Sequence, residues 1–288
     1  MGARVYVVAL ALVAAGCGQE AASAPPDGPA AATVIVTRDF GAAQLTTARA
    51  APGQSALNAL RRSADVGTAY GGRFVTTIDG LEGSKSQQHD WLYYVNGIDP
   101  GVGAADMDLH PGDREWWDYR YWRDFMAIPA VIGAWPEPFV HGFEGHSPTV
   151  KVEGPGCAAR IRAALQQQGA RIGGDGAYSV SVTTFAQQSA VLADWRGGGL
   201  TVRVTDGQVE IYNGAGGWRP APTAAAVIVA RSPEGIPGRS FQLLVAGRDQ
   251  PAACAAAKTL ATDPAQIEHT YAVALDAGGR VTAAGGQP

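Results

Sequence analysis

Apolar and polar residues alternate with period two over residues 32–40, "ATVIVTRDF", which predicts a strand. After a short Gly turn, "AQLTTARAA" (43–51) predicts a weaker one. The period then lengthens. In "PGQSALNALRRSA" (52–64), Ala56, Leu57 and Leu60 form a helical stripe behind a capping Ser55. "GRFVTTIDGLEG" (72–83) reads as a strand ending at Asp79-Gly80, and "HDWLYYVNG" (89–97) as a strand closed by an Asn-Gly turn. "GVGAADMDLHPGD" (101–113) is loop, and "REWWDYRYW" (114–122) is a strand by β-propensity.

Residues 124–148 carry Pro129, Pro136, Pro138 and Pro148 among large apolar side chains. Proline bars long regular elements there, and the apolar content argues for an ordered connector packed on a domain surface. A second unit starts at 149. "TVKVEG" is a strand; "GCAARIRAALQQQGA" is a helix with Cys157, Ile161 and Leu165 on one face and Gly169 as its stop. "AYSVSVTTF" is a strand, "GLTVRVTDGQVEIYNGAGG" a hairpin about Asp206-Gly207, and "AAAVIVARS" and "SFQLLVAG" are strands. "PAACAAAKTLA" is a helix carrying Cys254, and "HTYAVALDAGGRV" closes with a strand and turn. The fold class expected is α+β in two domains, 32–123 and 149–288. A strand followed by a Cys-bearing helix occurs twice, which suggests either a weak internal duplication or coincidence in Ala-rich sequence.

The N-terminus changes the picture of location. A positive start, "MGAR", precedes an apolar run, "VYVVALALVAA", shorter than the roughly 20 residues a bilayer requires. Small residues then lead to Cys17, the pattern of a secretory signal over residues 1–17. Ala14-Ala15-Gly16-Cys17 resembles a bacterial lipobox, with Ala14 where Leu is usual. The resemblance implies cleavage before Cys17 and lipidation of its thiol; several acyl chains hold a protein stably where one does not. The expected place is the outer face of the bacterial cell membrane, and the alternative is a plain secreted protein with an incidental cysteine. Residues 18–31, rich in Ala, Pro and Gly, read as a flexible tether. With Cys17 set aside, Cys157 and Cys254 remain, and an exported chain permits one disulfide between them; two buried thiols are the other reading.

Composition is that of an ordinary globular protein: 288 residues, 46% hydrophobic, 17% charged. A net charge of −4 without a basic block disfavours nucleic-acid partners. No nucleophile elbow, phosphate-cradling loop, His-Glu-x-x-His or Cys-x-x-Cys occurs, so an enzyme is not expected. His141, Glu144 and His146 lie close in sequence, but in a Gly-rich, Pro-flanked connector ill suited to hold a metal. Asp79, Asp90, Asp106, Asp108 and Asp113 fit no calcium-loop spacing and read as a solvated rim. No metal and no resident cofactor are expected.

The element order, with Trp91, Tyr93, Asn96, Gly97, Gly101, Gly112, Asp113, Trp117 and Tyr119 at their spacings, resembles the β-grasp domain at the C-terminus of transcobalamin and intrinsic factor and its bacterial relatives. The resemblance covers residues 32–123, with "PGQSALNALR" at the family's helix entry. Glu115 departs from it, standing where an apolar residue is usual. It implies a β-grasp N-terminal domain with one sheet face packed on the helix, and binding of a cobalamin-like or other small ligand linked to uptake. Side chains alternate faces along a strand. The family's Trp-x-Tyr then puts Trp117 and Tyr119, with Trp91 and Tyr93, in the core. Tyr94, Trp116, Arg120 and Trp122 fall on the opposite face, as candidates to bind a planar or ring-bearing ligand; packing of that face on the second domain is the alternative. The expected function is an extracytoplasmic, membrane-anchored ligand-binding lipoprotein, whose partners are the membrane and a small molecule or uptake component. The alternative is a cell-surface module for adhesion, or for protein or glycan interaction.

Overall fold

The computed structural model describes residues 2, 30–174, 176–236 and 238–285. Cys17, the signal segment bearing it and the tether up to residue 29 lie outside the described residues. The first unit runs β1 (Ala32–Arg38), β2 (Ala43–Ala50), α1 (Ala56–Ser63), β3 (Val66–Ala69), β4 (Phe74–Ile78), β5 (Leu81–Glu82), β6 (His89–Val95) and β7 (Arg114–Tyr121). β1, β2, β6 and β7 form a four-stranded sheet in the order β2-β1-β7-β6. β1 and β2 are antiparallel, as are β6 and β7, while β1 and β7 run parallel at its centre. β3, β4 and β5 form a separate antiparallel ribbon beside β6.

Local chemistry explains these elements. Ser55 caps α1, its Oγ accepting from Asn58 N at 3.3 Å, and Arg61 and Arg62 sit in the last turn, where cations suit the helix dipole. Leu57 and Leu60 are buried with Val34, Val36, Trp91, Trp117 and Tyr119 in one core; burial of each leucine stabilises by about 2 kcal/mol. Tyr93 stacks on Trp117 across the β6–β7 ladder, ring centroids 4.7 Å apart. The Asn-Gly turn has Asn96 and Gly97 both at positive φ. A side chain at Gly97 would also put a Cβ 2.7 Å from Val131 O.

The motif's polar residues are architectural. Asn96 Nδ2 donates to Asp113 Oδ1 and to Gly142 O, both at 2.7 Å, and Asn96 Oδ1 accepts from Arg114 N. Asp113 Oδ2 accepts from His110 N at 2.7 Å. Two loops are thereby fastened to the connector by buried hydrogen bonds.

The second unit contains β8 (Thr149–Glu153), α2 (Ala158–Gln167), β9 (Arg171–Ile172), β10 (Tyr178–Thr184), α3 (Ser189–Ala193), α4 (Trp195–Gly198), β11 (Val202–Thr205), β12 (Gln208–Tyr212), β13 (Trp218–Pro220), β14 (Ala224–Arg231), β15 (Phe241–Gly247), α5 (Gln250–Thr262), β16 (Ala272–Asp276) and β17 (Val281–Ala283). Its seven-stranded sheet has the order β17-β16-β14-β15-β10-β8-β9, parallel from β15 to β9 and antiparallel from β15 to β17. α2 and α5 pack side by side, and a disulfide joins Cys157 to Cys254 with their Cα atoms 5.5 Å apart. β11, β12 and β13 form a small antiparallel sheet whose apolar residues join a second core. The chain is thus of the α+β class.

The connector lies deeper than a surface strap. Phe125, Ile128, Val131, Ile132, Trp135 and Phe139 are buried and divide between the two cores. Its backbone bonds to both units: Val131 N donates to Gly97 O at 2.8 Å, and Gly133 O accepts from His269 N at 3.1 Å. Among the described residues no helix is long and apolar enough to cross a membrane.

Candidate functional site

β7 separates its side chains as period two requires. Trp117 and Tyr119 enter the core with α1; Trp116, Asp118 and Arg120 enter the other. That second face is covered, which corrects the expectation that it binds a ligand. Tyr94, Trp116 and Arg120 are no more than 2% exposed. The cover comes from the second unit and the connector. Tyr271 meets the rings of Tyr94, Trp116 and Phe40, while Phe40 and Phe125 both meet Tyr212.

A buried polar chain runs through this seam. Trp116 Nε1 donates to Thr37 Oγ1 at 2.8 Å, Thr37 Oγ1 donates to Asp118 Oδ1 at 2.6 Å, and Tyr271 OH donates to Asp118 Oδ2 at 2.9 Å. Arg120 Nε donates to Tyr271 OH at 3.1 Å and Nη1 to Phe125 O at 2.5 Å, with the guanidinium over the Phe40 and Tyr271 rings. Burial pushes the Asp118 carboxyl up, while the Thr37 hydrogen bond and the Arg120 charge pull it back. Burial pushes the Tyr94 hydroxyl up to about 12. Through Tyr271 these bonds join the first unit's sheet to the second unit, and through Phe125 to the connector.

Trp122 is placed differently. It follows β7, where its N donates to Gln88 O at 2.9 Å, and its side chain reaches a cleft at the free edge of β6. The cleft measures about 530 Å³, and its wall is mostly apolar: Phe74, Trp91, Leu92, Trp122 and Met126. Phe74 and Met126 stand 42% and 59% exposed at its rim, unusual for side chains of that size. Asp90, Glu82 and Lys85 are its charged lining groups. Trp91 is fixed by Nε1 donating to Leu81 O at 2.9 Å, and Tyr119 OH donates to Glu82 O at 3.0 Å, so β5 is held against β6.

Asp90 is half-buried in this wall. Its Oδ1 accepts from Trp91 N at 2.9 Å. Burial pushes its carboxyl above the usual carboxylate range, and the Trp91 N–H pulls it back. Gly83 makes room for it, since a Cβ there would lie 2.7 Å from Asp90 Oδ1. The sequence placed Asp90 in a solvated rim and offered no sign of Phe74 or Met126. These residues meet only because the β3–β5 ribbon folds back beside β6.

The other titratable candidates do not converge. Among the described residues no three His, Cys, Asp or Glu side chains gather as a metal site. Asp106 pairs with Arg73 at 3.2 Å, Asp113 serves the Asn96 network, and His141 Nδ1 meets Glu137 Oε1 at 2.6 Å, an interaction that holds the imidazole above its ordinary range.

A family model matches residues 53–120: the domain of unknown function DUF4430. That stretch holds α1, the β3–β5 ribbon, β6 and nearly all of β7, hence most of the cleft, with Trp122 and Met126 just past its end. No curated protein matches the chain. Among solved structures, a Ruminococcus gnavus protein whose description proposes metal binding is 18% identical over 32% of this chain and 97% of its own, with a TM-score of 0.27, too low to establish a common fold.

Proposed function

We propose that this chain is a lipid-anchored, extracytoplasmic bacterial protein that binds a small ring-bearing ligand in the cleft between the β3–β5 ribbon and β6, for delivery to an uptake system. On this reading the first unit is a β-grasp domain akin to the transcobalamin C-terminal domain, and it binds without transforming its ligand. The observation that carries the proposal is the cleft itself: an apolar, ring-lined recess with one half-buried carboxylate, the usual character of a small-molecule site. The Cys157–Cys254 bridge supports an oxidising compartment. A cleft of about 530 Å³ suits one ring system with its substituents. A corrinoid would be gripped by a part of itself rather than enclosed. The flat aromatic face that an adhesive module would use is inside the molecule.

Titration of the purified protein with cobinamide, cobalamin and a panel of small aromatic compounds, followed by tryptophan fluorescence with inner-filter correction, tests this. Trp122→Ala is expected to weaken binding about tenfold or more, the weight of one well-placed ring. Trp116→Phe, a conservative change in the seam, is expected to leave affinity unaltered. Saturable binding lost in Trp116→Phe and kept in Trp122→Ala would refute the assignment.

A further inference from the structure

We propose that the cleft selects a cationic ligand, an organic ammonium whose charge lies against Asp90 and whose apolar body lies among Phe74, Leu92, Trp122 and Met126. This rests on the reading of the cleft as the ligand site and adds the chemical class of its occupant. Asp90 makes one hydrogen bond, from Trp91 N to Oδ1, and among the described residues it has no ion-pair partner. Lys85 lines the same cleft without pairing with it, and as an exposed residue keeps its ammonium in water. The site therefore holds a half-buried carboxylate in a mostly apolar wall with no cationic side chain paired to it.

The surroundings favour an organic cation over a bare metal ion. A metal would demand several oxygen, nitrogen or sulfur ligands, and the cleft is lined mostly by rings, methylenes and a thioether, with Asp90 and Glu82 its only carboxylates. Aromatic faces carry partial negative charge and attract ammonium groups, most strongly when water is excluded. Phe74 and Trp122 supply such rings, and Met126 adds a polarisable sulfur. Glu82 adds a second negative charge at the lining, so Asp90 and Glu82 against Lys85 leave a net −1. A like-charged ligand is repelled, and a neutral one leaves the carboxylate unpaired. Gly83 belongs to the same design, because any side chain there would intrude on Asp90.

The test compares benzyltrimethylammonium with benzyl alcohol, binding of each to the full chain in detergent being followed by tryptophan fluorescence. The cation is expected to bind at least tenfold more tightly than the alcohol. Asp90→Asn keeps an acceptor for Trp91 N, and is expected to bring the two affinities within about twofold. Lys85→Gln, an exposed change that leaves the fold untouched, is expected to tighten the cation and leave the alcohol unaltered. Equal binding of both probes to the parent protein, or an unchanged preference in Asp90→Asn, would overturn the cation selectivity while leaving the cleft as a ring-binding site. Failure of both probes to bind would overturn the cleft reading and this proposal with it.

Discussion

Glu115→Gln protein is expected to lose much less stability between pH 5 and pH 9 than the parent protein does. Glu115 is wholly buried on the core face of β7. Its Oε1 accepts from Trp117 Nε1 at 2.5 Å, and its Oε2 has no partner among the described residues. Burial pushes its carboxyl up to about 8, against the opposing effect of the Trp117 hydrogen bond. Below the unfolded value of 4.5 both states hold the proton, and folding is indifferent to pH. Between there and about 8 the unfolded chain releases the proton while the native chain keeps it, so stability falls as pH rises. Above about 8 both are ionised and the loss is complete. At about 1.4 kcal/mol for each unit of separation the total is roughly 5 kcal/mol. A neutral Gln removes the Glu115 share of the slope, which is read by comparing the pH 5 to pH 9 change in urea midpoint of the two proteins. A parent protein equally stable at both would mean that Glu115 is paired or solvated.

Removal of the Cys157–Cys254 bridge is expected to cost as much. The bridge closes a loop across a sequence separation of 97 residues. In the chain-entropy account a loop near that length stabilises by about 4–5 kcal/mol, by restricting the unfolded chain. That is a large share of the roughly 5–15 kcal/mol that holds a domain folded. The bridge also joins the two helices that cover one face of the second sheet, at the start of α2 and within α5. Ile161, Leu165, Ala253, Ala256, Ala257 and Leu260 on those helices are buried. The Cys157→Ala/Cys254→Ala double variant is expected to show a lowered midpoint in urea. Hydrogen exchange should speed first in α2 and α5. An unchanged midpoint would show that helix packing alone sets the stability of this layer.

Much of the architecture was legible from local pattern. Alternation marked β1, the Asn-Gly turn marked the end of β6, β-propensity marked β7, and Ser55 with its apolar stripe marked α1. β3, β5, β9 and β13 are two to four residues long, too short for alternation to register. The short helices α3 and α4 also carried no sustained periodicity. Glu115 was visible as a departure because a carboxyl interrupts an otherwise apolar strand position. Alternation also sorted Trp117 and Tyr119 from Trp116 and Arg120. It could not say what lies against each face: a strand buried on both sides reads the same whichever partner covers it. Tyr271, which covers Trp116, lies over 150 residues away in sequence, as its bond to Asp118 shows. The cleft is hidden for the same reason, since its walls come from separate stretches at 74–76, 82–85, 90–92 and 122–126.

The central claim is that the ligand meets Trp122 at the sheet edge and not Trp116 on the sheet face. The chain has seven tryptophans, and ¹⁵N labelling of their indoles reports each ring separately. In a titration with benzyltrimethylammonium, the Trp122 signal should shift with saturation while the Trp116 signal, buried in the seam, stays in place. A saturating shift of Trp116 with Trp122 unmoved would contradict the account and return the ligand to the seam.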